Sequence, residues 1–245
     1  MKILVLYVFH EYNSRVENFF SNAVFDDENV TFLIIYNNLD DSISFTLPEN
    51  VLFIRRKNHG FCFGGWSQGL LQDNLYENYD SFVFVNSSVA GPFLPRYSNQ
   101  KWPHIFINGL QNNIHLFGST INSLSYHNEY NPLKHPHVQT YIFAMHKECV
   151  EYLIECEIFS LDKMATSLYD AVHDKEIMMS RKIIEKGWNI GCLHDYYRNV
   201  DFTFKTEVDD LCFLFLGDIM YQSAYNSKMW NPYDLVFIKG NRITL

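Results

Sequence analysis

Three stretches of the chain are apolar almost without a break for the length of one β-strand: Ile3–Phe9, Val30–Tyr36 and Ser81–Val85. A half-exposed strand alternates apolar and polar residues, whereas a strand covered on both faces reads as a continuous apolar run. A shorter run, Val51–Ile54, lies between the second and the third. Ser14–Val24 places Val16, Phe19, Phe20 and Val24 at helical spacing, and Gly65–Tyr76 does so with Trp66, Leu70 and Leu71. The order is strand, helix, strand, loop, strand, helix, strand. This predicts an α/β domain with a mostly parallel central sheet flanked by helices.

The pattern loosens beyond Pro95. Short strands are expected at His104–Ile107 and Leu116–Thr120, then a polar loop over Asn122–Pro136 and an apolar stretch over Val138–Met145. Lys147–Ile154 reads as a helix, and Asp174–Lys186 as another, stopped by Gly187 in a C-cap position and followed by a strand at Trp188–Leu193. There is no repeat and no low-complexity linker, so 1–245 is expected to form a single domain. Residues 1–95 form its ligand-binding half; 96–245 form the second half and a C-terminal tail.

The formal charge of −9 opposes binding to a polyanion, and Arg55-Arg56-Lys57 is too short a basic stripe for a nucleic-acid surface, although it suits one small phosphorylated ligand. The five cysteines are scattered without a CxxC pair, which argues against both a disulfide framework and a cysteine-rich zinc site. The apolar start lacks a small-residue cleavage site and is too short to span a bilayer. A soluble, cytoplasmic protein without a membrane span is expected.

Ligands of open α/β sheets bind outside the carboxyl ends of the strands. Four loops therefore converge: Phe9–Tyr12, Asn37–Asp41, Arg55–Gly65 and Asn86–Gly91. Asn37, Asn38 and Asp40 can pair with a base or ribose, and Arg55, Arg56 and Lys57 can oppose phosphates. The run Gly60-Phe61-Cys62-Phe63-Gly64-Gly65 opens a helix, and its glycines either admit a phosphate to backbone N–H groups or serve turn geometry alone. It matches neither GxGxxG nor GxxxxGK[ST], which disfavours a dehydrogenase or a P-loop NTPase. A nucleotidyltransferase would carry a Gly-rich, Lys-containing loop after the first strand, where this chain has His10-Glu11-Tyr12-Asn13.

An ordered set of motifs carries a resemblance. Asn58-x-Gly60-x-x-x-Gly64-x-Trp66 is followed by Asn86-Ser87-Ser88-Val89-x-Gly91-Pro92-Phe93-x-Pro95, then by Gly118-Ser119-Thr120-Ile121-Asn122 and His137-Val138-Gln139-Thr140. Glu176-Ile177-x-x-Ser180 before Gly187 and Asn231-Pro232-Tyr233-Asp234-Leu235-Val236-Phe237-Ile238-Lys239 complete it. In this order the motifs resemble GT-A glycosyltransferase-like proteins of bacteria, algae and large DNA viruses. The resemblance implies a Rossmann-like GT-A domain and inverting transfer of a sugar from a UDP-, GDP- or TDP-linked donor to a glycan, glycoprotein or other hydroxyl acceptor. The donor contacts it implies are Phe9, Asn37, Asn38, Arg56, Lys57, Asn58, Gly60, Gly64, Trp66, Asn86, Ser87 and Ser88. The acceptor-side contacts are Gly91, Asn122, His137 and Gln139.

GT-A enzymes carry an Asp-x-Asp type motif after the fourth strand, whose carboxylate holds Mn²⁺ or Mg²⁺ on the donor diphosphate. Here the stretch is Asn86-Ser87-Ser88, and Cys62 likewise stands where Asp is common in the relatives. The resemblance leaves Ser88 and His194 as metal contacts; otherwise basic residues such as Arg55, Arg56, Lys239 or Arg242 stabilise the leaving group. The alternative is a catalytically inactive nucleotide-sugar-binding protein. An inverting transfer needs a carboxylate base, and Glu176 is the first candidate, ahead of Asp174 and the more distant Asp170. Read otherwise, Asp174 and Glu176 are first-turn acids favoured by the helix dipole. His135-Pro136-His137 lacks a third metal ligand fixed by spacing, and Trp66, Trp102 and Trp230 can stack on a sugar or pack in the core.

Overall fold

A computed structural model describes residues 1–39, 46–48, 51–122, 136–203 and 230–241. Asp40, His135 and Arg242 lie outside the described residues.

The chain begins with β1 (Ile3–Phe9), α1 (Ser14–Asn22), β2 (Val30–Tyr36), β3 (Leu52–Arg55), α2 (Phe61–Leu71), β4 (Ser81–Asn86) and a two-residue β5 (Val89–Ala90). Next come α3 (Trp102–Ile107), β6 (Ile114–Gly118), β7 (Ile121–Asn122), β8 (His137–Val138), β9 (Ile142–His146) and α4 (Lys147–Glu155). A long helical stretch comprises α5 (Leu168–Asp170), a π-helical segment (Ala171–Ile177) and α6 (Met178–Glu185). It leads to β10 (Asn189–Cys192), and after the gap α7 (Pro232–Leu235) and β11 (Ile238–Lys239) follow.

Seven strands form one sheet in the order β10-β6-β9-β4-β1-β2-β3, all parallel except β9, which runs antiparallel to both neighbours. The unbroken apolar runs have the expected cause. Along β1, Ile3, Val5, Tyr7 and Phe9 enter one core while Leu4, Leu6 and Val8 enter the other, so every side chain of the strand is buried. The first core is closed by α1 and α3: Tyr7 stacks on Phe19 with centroids 3.9 Å apart, and buried Trp102 donates Nε1–H to the Ala23 carbonyl at 2.8 Å. The second is closed by α2, α4 and α6, with Trp66 edge-on to Phe63, Phe84 and Phe143.

Helix α2 sits unusually close to the sheet because it lacks side chains where it crosses. A Cβ on Gly65 would stand 2.7 Å from Val8 Cγ2, and one on Gly69 2.8 Å from Leu33 Cδ2. A Cβ on Gly64 would meet the His59 carbonyl oxygen at 2.1 Å, so no other residue fits there.

Three elements differ from the sequence expectation. His104–Ile107 belongs to helix α3, not to a strand: Pro103 in the first turn suits a helix start, and Trp102, Phe106 and Ile107 bury one helical face. Helix α2 begins at Phe61 and ends at Leu71, where Asp73 and Asn74 adopt positive φ in a 3₁₀ segment, Gln72–Asn78. The later helical stretch starts at Leu168, well before Asp174. A capping box fixes that start: Ser167 Oγ accepts the Asp170 N–H at 3.1 Å, while Asp170 Oδ2 accepts the Ser167 N–H at 3.0 Å. Asp174 and Glu176 both lie inside the π-helical segment that follows, so neither is a first-turn acid of the helical stretch.

Candidate functional site

Backbone hydrogen bonds carry the sheet register past the strand ends and hold the loops there. The Asn37 N–H reaches the Phe9 carbonyl at 2.7 Å, Arg56 N–H the Tyr36 carbonyl at 2.9 Å, and Ser87 N–H the Val8 carbonyl at 3.0 Å. A cavity of about 400 Å³ opens at these tips. Phe9, Asn37, Asn58, Asn86, Ser87 and Ser88 all line it. An adjoining cavity of about 350 Å³ shares His10, Asn37 and Asn58 with it and adds Glu11, Asn38, Leu39 and Lys57. The positions near Asn37, Lys57 and Ser87 thus meet at one end of the sheet.

The wall beneath is built from Asn37, which is buried and donates Nδ2–H to the Phe61 carbonyl at 3.0 Å. That bond holds Phe61 at φ 54°, a left-handed conformation costly for a bulky residue, directly after Gly60 at φ 77°. Phe61 and Cys62 form the adjacent wall of the cavity. Desolvation pushes the Cys62 thiol up to about 12, and the Glu176 carboxylate adds to the effect. Cys62 therefore stays protonated at neutral pH and is no nucleophile.

Glu176 is fixed beside this wall. Its Oε1 accepts the Thr140 N–H at 3.2 Å, and the Thr140 carbonyl accepts Asn86 Nδ2–H at 3.1 Å. Thr140 thus links the carboxylate to a residue lining the cavity. Asp174 is exposed and lines a different cavity of about 510 Å³, together with Asp170. Of the candidate bases, Glu176 alone is tied to the strand-tip cavity.

Other predicted contacts lie elsewhere. Arg56 is buried: its Nη1 bonds Asn37 Oδ1 at 2.9 Å, Nη2 the His59 carbonyl at 2.7 Å, and Nε Gln68 Oε1 at 2.8 Å. Burial pulls its pKa down. Arg55 instead lies over the Tyr36 ring, 5.0 Å from its centroid. Gly60 and Gly64 serve backbone conformation and helix seating, and Trp66 and Trp102 are core residues. Asn122 and His137 face each other across the β7–β8 ribbon and are buried; Gln139 is buried too, accepting the Thr120 hydroxyl at 2.7 Å. Gly91, at φ 134°, lines a neighbouring cavity of about 530 Å³.

The residues present do not fit a divalent cation. Hard cations take carboxylate oxygens, yet no Asp or Glu among the described residues lines the cavity around Ser87. Asn86 Oδ1 already accepts both the Ser88 N–H at 2.9 Å and the Ser88 hydroxyl at 2.5 Å. No group of three or more His, Cys, Asp or Glu among the described residues could hold a metal ion.

His194 is buried, and its Nδ1 accepts the Tyr196 N–H at 3.2 Å. Desolvation lowers its pKa below the ordinary 6.5, with Asp195 and Asp234 opposing the shift. The unfolded chain binds that proton more readily, so this contribution to stability is lost as pH falls below the ordinary imidazole range. Thermal melts between about pH 5 and 7 are expected to show stability rising with pH, with a shallower slope in His194→Asn. An unchanged slope would assign the dependence to other groups, such as His115, which burial also lowers.

Two residues at the cavity do not stand out as a pair in the sequence. Arg15, on α1, and Lys239, on β11, both line it. Nothing in the spacing around Arg15 marks it: the Asn13 cap, whose Oδ1 accepts the N–H of Arg15 at 3.0 Å and of Val16 at 3.3 Å, sets only where α1 starts, and the docking of α1 brings Arg15 to the cavity.

No helix among the described residues is long and apolar enough to cross a membrane. No curated protein matches the chain. Residues 32–211, well over half of it and including β4, the cavity wall at Phe61–Cys62 and Glu176, match the family described as RgpF, rhamnan synthesis protein F. With a strand-tip cavity on a Rossmann-like sheet and this match across most of its length, the chain belongs to the rhamnan synthesis protein F family, a glycosyltransferase-related family.

Proposed function

We propose that the protein is a GT-A type glycosyltransferase that moves a sugar from a nucleotide-sugar donor to a hydroxyl of a glycan acceptor, with inversion. The observation that carries this reading is the tie between Glu176 and the cavity at the tips of β1, β2 and β4. Asn37, Asn38 and Asn58 offer amides to the base and ribose, and Ser87 and Ser88 border the diphosphate. Glu176 takes the proton of the acceptor hydroxyl as its oxygen attacks the anomeric carbon. The bond from that carbon to the phosphate oxygen breaks, and the nucleoside diphosphate leaves with the electron pair. The family name points to a rhamnose polymer. A 6-deoxyhexose presents a methyl group, which suits the apolar surface of Phe61 and Leu168 in the cavity.

A panel of UDP-, GDP- and TDP-linked sugars, rhamnose included, tests the proposal by following nucleoside diphosphate release with and without a rhamnose oligosaccharide. Acceptor-dependent release from one donor is expected. Donor binding without release under any condition would favour the inactive nucleotide-sugar binder, a reading motivated by the missing carboxylate at Asn86-Ser87-Ser88. Absence of any donor binding would remove both.

A further inference from the structure

Arg15 and Lys239 are both half-buried at the cavity, and neither makes an ion pair among the described residues. Arg15 donates Nε–H to the Ser87 carbonyl at 3.2 Å, which pins its guanidinium to the tip of β4. Its Nη nitrogens have no hydrogen-bond acceptor among the described residues. Lys239 pairs with Val89 in the antiparallel β5–β11 ribbon, just beyond Ser87 and Ser88 in the chain. The next residue, Gly240, packs so closely that a Cβ there would lie 3.3 Å from Arg15 Cδ. Two cationic residues, Arg15 and Lys239, thus line the same cavity, on segments that touch through Gly240.

Removing charge from water without a partner is costly. The chain as a whole carries a formal charge of −9, so these two cations stand out against a surplus of carboxylates that do not come to meet them. The missing partner is an anion with several oxygens, small enough for a cavity of about 400 Å³. We propose that Arg15 and Lys239 bind the donor diphosphate and stabilise it as it leaves, in place of a divalent metal. This rests on the glycosyltransferase reading. Arg15 offers N–H groups in a fixed fork, and Lys239 a mobile point charge, so together they can follow the charge that develops on the departing phosphate oxygen.

Calorimetric titration of the full chain with nucleoside diphosphates in EDTA, and again with Mn²⁺, tests this. Wild type is expected to bind in EDTA, with an affinity changed less than about threefold by Mn²⁺. Arg15→Gln and Lys239→Gln should each weaken binding by about tenfold or more, the range for a charged hydrogen bond. Binding of the uncharged nucleoside should not change, which separates phosphate contact from general damage; Arg15→Lys should recover part of the loss. Binding that requires Mn²⁺, or equal affinities for wild type and both Gln variants, would overturn the proposal while leaving the glycosyltransferase reading intact. If no nucleotide binds under either condition, the underlying reading fails as well.

Discussion

Glu176→Gln is expected to lower kcat by roughly 10²–10⁴-fold, the usual contribution of a general base, while donor affinity stays within about twofold. The substitution keeps the shape of the side chain. The amide oxygen can still accept the Thr140 N–H, now taken by Glu176 Oε1 at 3.2 Å. The link through the Thr140 carbonyl to Asn86 is untouched. What disappears is the capacity to take a proton. Turnover close to wild type would remove Glu176 from its role, and a parallel loss of donor affinity would mean that the residue shapes the cavity instead.

Arg56→Met is expected to destabilise the fold by about 2–4 kcal/mol, a fall of roughly 5–15 °C in Tm for a chain of this size. Three acceptors lose their donor at once: Asn37 Oδ1, the His59 carbonyl and Gln68 Oε1. Asn37 Oδ1 is the buried one of the three, and an orphaned buried acceptor costs more than the original bond contributes, although relief from burying a guanidinium offsets part of the loss. Lysine cannot replace the fork geometry, so Arg56→Lys should recover only a fraction. Thermal denaturation measures the effect; a loss below about 0.5 kcal/mol would show that the network around Asn37 is replaceable.

Arg56 also shows how far a sequence can be read. Three cations in a row suggest phosphate contacts, but which of them turns inward depends on acceptors at Asn37 and Gln68 that spacing does not reveal. The strands β1, β2 and β4 are legible because burial on both faces forces an unbroken apolar run. The cavity at their tips follows from topology alone. Helix α3 passes for a strand since a stretch of six residues is too short to show its period, although Pro103 marks its start. The true beginning of the later helix is written in Ser167-x-x-Asp170, a capping pattern outweighed by the stronger apolar periodicity that follows it. Arg15 leaves no trace in the sequence. Its position follows from where α1 docks, which is a tertiary fact.

The bare face of α2 has a consequence for how this site can diversify. Its bore is set by main chain against strand, since a side chain at Gly65 would strike Val8 and come within 3.2 Å of Asn37 Oδ1. Enlarging that face would lift the helix and carry Phe61 and Cys62 away with it, dismantling the cavity in one step. Changes of ligand preference among descendants of this chain would therefore have to arise at the rim, at exposed positions such as Lys57 and Leu168.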